Sequence, residues 1–115
     1  MANLNGKKGS ALHQKVQEAE FEKLKQEYDN NKKIMVDTEV PVFTPHGKKK
    51  QRVADVAAFG TEKPFPFVKV VQVGKTDEDG NPVKREQEAI EDIEKHTEIK
   101  VKFVNYEDYE TNANE

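Results

Sequence analysis

Apolar residues run with little polar interruption in one place, Phe65-Pro66-Phe67-Val68-Lys69-Val70-Val71-Gln72-Val73. Aromatic and β-branched side chains at both odd and even positions suit a strand covered on both faces. The stretch is expected to be the central strand of a small core. Lys69 and Gln72 each break one face, so the cover should thin near Lys69, with its charge in water and its stem along the surface.

Two other stretches alternate. Ile34, Val36, Thr38, Val40 and Val42 interleave with polar residues and Met35, a period of two that predicts a half-buried strand. Pro41 cannot donate to a ladder, which places that strand at an edge. Ile99, Val101 and Phe103 alternate with Glu98, Lys100 and Lys102, a strand with one wet face. Between them, Val83 to His96 reads as a helix whose narrow stripe of Val83, Ile90, Ile93 and Thr97 should rest on the sheet. Strand, helix and strand over residues 66–104 make a βαβ-sized unit, with parallel strands if the two are neighbours. A hairpin turning on Asp79-Gly80 is the alternative. Residues 53–59 carry Val53, Val56 and Ala57 at helical spacing before Gly60, so a short helix is favoured there. The return strand of a hairpin turning at His46-Gly47 is the other reading.

From Ala11 to about Asn30 there is no Pro or Gly, and Glu, Lys, Gln and Ala dominate, so a helix is expected with Ser10 as its N-cap. Its pattern is unusual. At 100° per residue Leu12, Val16 and Ala19 fall on one side, and Phe21, Leu24 and Tyr28 on nearly the opposite one. Either the helix lies loosely on the domain, or its two halves touch two bodies, one of them another subunit.

Composition sharpens the boundaries. Of 26 Leu, Ile, Val and Phe residues, 21 lie in 34–104. The expected organisation is an N-terminal helical arm over 1–33, a compact β-based body over 34–104, and an acidic tail over 105–115. Val outnumbers Leu 13 to 3, which favours a sheet. The expected class is therefore α+β: a small mixed sheet of three to four strands with one packed helix, plus the arm and the polar tail.

Charge divides the chain. Residues 1–53 carry 11 Lys and Arg against 7 Asp and Glu; residues 54–115 carry 8 against 15. Such asymmetry orients a subunit against a neighbour or a polyanion, although solvated charge explains it equally well. The densest basic cluster, Lys48, Lys49, Lys50 and Arg52, has no aromatic interleaved with it, which weighs against a single-strand-binding face.

Motifs of chemistry are few. There is no Cys, hence no disulfide framework or thiolate metal site. Asp77-Glu78-Asp79-Gly80-Asn81 imitates a calcium loop, but Pro82 stands where that loop needs Gly. His13, His46 and His96 are scattered and are expected at the surface. No Walker A pattern or nucleophile elbow occurs. No apolar window approaches a membrane span, and the first residues do not form a secretory signal. A soluble protein, intracellular or part of a virion, is expected.

These readings converge on a non-catalytic structural or accessory subunit, without cofactor or metal, that docks into a larger protein assembly through its terminal arms. A viral or phage particle is one such assembly, by analogy alone. The candidate partner-binding residues are Leu12, Val16, Phe21, Leu24 and Tyr28 of the arm and Lys48, Lys49, Lys50 and Arg52 of the loop. The alternative is a nucleic-acid-associated accessory protein using loop 48–52.

Overall fold

A computed structural model describes residues 7–107, with side chains from residue 11. The elements are α1 (Lys7–Glu27), β1 (Ile34–Phe43), β2 (Gln51–Gly60), β3 (Phe67–Gly74), α2 (Lys84–Thr97) and β4 (Val101–Asn105). The sheet order is β1-β2-β3-β4. The first two pairings are antiparallel and β3–β4 is parallel, so the chain is α+β with a mixed four-stranded sheet. The apolar run forms β3 from Phe67 onward, flanked on both sides, while Phe65 stands before the strand with φ 57°. Lys69 meets Glu27 at 3.0 Å in solvent, as the break in the pattern implied.

Besides the packed helix α2, the N-terminal helix α1 also covers the sheet. Val71, Val73, Val56 and Val104 pack with Val16 and Leu24 of α1. Val70, Val101, Ala54 and Val42 pack with Ile93 of α2 on the opposite face. Adjacent residues Val70 and Val71 thus serve different helices, the period of two expected of a strand covered on both sides.

The favoured helix over 53–59 is a strand instead: those residues lie within β2, paired with β1 and β3. Ala54, Ala57 and Ala58 are fully buried there. Local propensity is a weak preference, and pairing on two edges with cover on two faces overrides it. Small side chains also let both helices approach the centre of the sheet.

The β1–β2 ribbon changes face along its length. Val36 and Val56 point towards α1, whereas Val40, Val42 and Ala54 point towards α2. Pairing passes from Thr38↔Val56 to Val40↔Ala54 without a bridge between Glu39 and Asp55, and Glu39 has φ 52°. That left-handed residue interrupts the alternation, so the tip of the ribbon turns over α2. On the other edge of β2, pairing with β3 runs only from Phe59 to Val56. Beyond it, side chains complete the ladder. Gln72 Oε1 accepts from Asp55 N–H at 2.7 Å, and Asp55 Oδ2 accepts from Val73 N–H at 2.8 Å.

The expected calcium-like turn is held by its own carboxylate. Asp77 Oδ1 accepts from the N–H groups of Asp79 and Asn81, and Gly80 adopts φ 83°. The tail over 105–115 is described only to Glu107. Residues 108–115 and 1–6 lie outside the described residues.

Candidate interaction surface

The tip of the β1–β2 ribbon is built on one carboxylate of α2. Asp92 is 6% exposed. Its oxygens accept from Lys48 N–H at 3.0 Å, Lys49 N–H at 3.2 Å and Arg52 Nε at 2.8 Å. Arg52 Nη2 also lies 2.8 Å from Oδ2, but without the alignment of a hydrogen bond, so that contact is ionic only. Burial pushes the Asp92 carboxyl up. The Lys48 amide, the Arg52 side chain and the Lys49 amide outweigh it and hold the group below its ordinary 3.8. Gly47 passes so close that a Cβ there would collide with this carboxyl.

Two histidines continue the attachment. His96 Nε2 accepts from His46 N–H at 3.0 Å, so its proton sits on Nδ1, which donates to Asp92 O at 2.8 Å. The two rings stack with centroids 5.8 Å apart. Lys95 reaches His46 O, Lys48 reaches Glu88, and buried Thr44 closes the loop onto Lys49 O at 2.6 Å.

This geometry divides the basic cluster. Arg52 is turned inward and consumed by Asp92, and Lys48 is paired with Glu88. Lys49 and Lys50 project into solvent. The odd positions of the tip face away from α2. Pro41 lies opposite Val53, and Phe43 follows it on the same side. Phe43 is 74% exposed and Val53 48%. An aromatic therefore does accompany the lysines, supplied by the strand before the loop rather than by the cluster itself.

The arm residues are distributed differently from expectation. Val16 and Leu24 are buried in the chain's own core, and Leu12, Phe21 and Tyr28 pack half-buried against the same cluster. The two apolar half-stripes do not face two bodies. They flank one seam, whose centre is His13, Gln17 and Glu20, with Gln17 5% and Glu20 2% exposed. Glu20 is met by Lys102 of β4 and Lys23. His13 Nε2 lies 3.4 Å from Asp55 Oδ2, and its ring meets Tyr106 edge-on. The hydrogen bond to Asp55 raises the His13 pKa above 6.5 against the opposing effect of burial. Glu86 of α2, half-buried nearby, is raised above 4.5 by burial and by the Asp55 charge, partly offset by Arg85 and His13.

All three histidines are thus engaged rather than scattered. Asp92, Phe43 and the His13–Asp55 pair escaped the sequence reading. One signal was available: His13 and Glu20 fall midway between the two half-stripes of α1, where an apolar centre was missing, and Gln17 breaks the second half-stripe. Asp92 had a weaker one, a carboxylate beside Ile93 on the inward stripe of α2.

Among the described residues, no group of three or more His, Asp or Glu is placed to hold a metal. No described helix is long and apolar enough to cross a membrane. The outer edge of β1 carries Asp37, Glu39 with its left-handed backbone, and Pro41, all of which discourage strand addition. No family model matches the chain, and no curated protein or solved structure matches it significantly.

Proposed function

We propose that the protein is a non-catalytic accessory subunit that docks into a larger protein assembly through the tip of its β1–β2 ribbon. A virion is one assembly of that kind. The observation that supports this is the pairing of a 74% exposed Phe43 with a tip held by a 6% exposed Asp92. A loop of merely solvated lysines gains nothing from a buried carboxylate with three N–H groups aimed at it. A docking element does, because a pre-ordered surface loses less entropy on binding. Phe43, Pro41 and Val53 form an apolar centre, and Lys49 and Lys50 form a charged rim suited to an acidic partner surface.

A photo-crosslinking residue in place of Phe43, in cells producing the protein, tests this reading. One protein adduct of discrete mass is expected, weakened when Lys49 and Lys50 are changed to Glu. Labelling no stronger than from exposed Glu62 would overturn it.

Phe43 beside Lys49 and Lys50 also favours a second reading, single-stranded nucleic acid with a base stacked on the ring. That reading requires anisotropy-detected binding of a labelled oligonucleotide that weakens steeply with salt and is lost in Phe43→Ala. Absence of binding at low salt removes it.

A further inference from the structure

The seam under α1 combines buried polar groups with ion pairs to the sheet. The centre of the helix's inner face is polar, so its attachment rests on apolar flanks and three ion pairs, His13–Asp55 to β2, Glu20–Lys102 to β4 and the exposed Glu27–Lys69 to β3. The connection to β1 is a short exposed turn. Asn31 N–H donates to Tyr28 O, and Ile34 N–H to Asn31 O. We propose that α1 is a pH-released arm, held on the sheet by the protonated His13–Asp55 pair and loosened when His13 loses its proton. This stands independently of what the ribbon tip binds.

The groups that face His13 come from every element around it. They are Asp55 of β2, the Val73 backbone of β3, Glu86 of α2, and Tyr106 after β4. Arg85 lies behind, acting on Glu86. With His13 charged, it offsets Asp55 directly and, together with Arg85, part of the charge of Glu86. When it deprotonates, the proton leaves to solvent, Asp55 loses its cation, and Arg85 alone offsets the repulsion between Glu86 and Asp55. Like charges in such a site repel strongly. Asp55 also carries the Val73 amide, so disturbance at His13 reaches the junction of β2 and β3. Lifting α1 uncovers Val56, Val71, Val73 and Val104, together with the helix's own Val16 and Leu24.

The sign follows from linkage. The held state raises the His13 pKa, so attachment is complete below the ordinary 6.5 and is lost as pH rises through the held-state value above it. Glu86, also raised, acts in the same direction.

Amide hydrogen exchange on the full chain, at about pH 6 and about pH 8 and corrected for intrinsic rates, reads the opening. Peptides within residues 12–27 should lose protection relative to β3 at the higher pH. The loss should be about tenfold for each unit separating the held and free His13 pKa. His13→Gln should abolish that pH dependence and leave β3 protected. Equal pH dependence of α1 and β3 in the native chain, or its persistence in His13→Gln, overturns the proposal. Should that variant fail to fold, NMR titration of the His13 ring in the native chain decides: a pKa at or below 6.5 overturns the proposal, and a higher one supports it.

Discussion

An aspartate stands at a polar junction on each side of the sheet, Asp92 on α2 and Asp55 on β2, and the two behave differently. Asp92, under the ribbon tip, receives two backbone amides and the Arg52 side chain, and its charge is held against burial. Asp55, under α1, receives Val73 N–H and His13, and the neighbouring Glu86 has no comparable set of donors. A buried carboxylate becomes a fixed strut when directed donors exceed the cost of desolvation. It becomes a titratable contact when one ionisable partner carries the balance. On the proposed reading, the α2 side is the rigid half and the α1 side the adjustable one.

The largest test of that contrast is Asp92→Ala. It leaves Arg52 buried without a partner and frees two amides, and should cost about 3–5 kcal/mol in urea unfolding. A cost below about 1 kcal/mol would remove the strut from the picture. Arg52→Met should cost less, about 1–3 kcal/mol, because the two amides still serve Asp92.

Core truncation compares the same faces. Ile93 is fully buried, and Ile93→Ala should cost about 2–5 kcal/mol. Leu24→Ala should fall at the lower end of that range, since the polar seam beside it lets α1 shift and close the cavity. Equal losses would argue that α1 is packed as firmly as α2.

Melting temperature against pH separates the two aspartate sites. The depressed Asp92 pKa gives stability that is present above 3.8 and lost as pH falls through the lower folded-state value. The raised His13 pKa gives stability that is present below 6.5 and lost as pH rises through the higher folded-state value. Asp92→Asn should flatten the acid limb, and His13→Gln the other. A single variant that flattened both would mean that the sites are coupled through the sheet.

The smallest effect on stability belongs to the exposed tip. Phe43→Ser should change unfolding free energy by no more than about 0.5 kcal/mol while removing the proposed docking contact. A larger destabilisation would show that Phe43 serves the fold rather than a partner.

Periodicity located β1, α2 and β4, an uninterrupted apolar run located β3, and strand-helix-strand order implied that β3 and β4 would be parallel if neighbours, as they are. Those features are legible because the side-chain period reports the local backbone and the face it buries. β2 was not legible: Val53, Val56 and Ala57 satisfy a helical spacing as well as a strand, and only pairing with Val71 and Thr38 chose between them. The face of α1 was not legible either. Its polar centre is tolerated because Asp55 and Lys102 arrive from other strands, the latter 82 residues from Glu20. Asp92 likewise takes its donors from 40 to 44 residues away. The sequence by itself determined which segments are strands and helices wherever one period dominates. Only the tertiary structure decided which charges are buried, because a buried charge is stable only beside partners that the local chain does not contain.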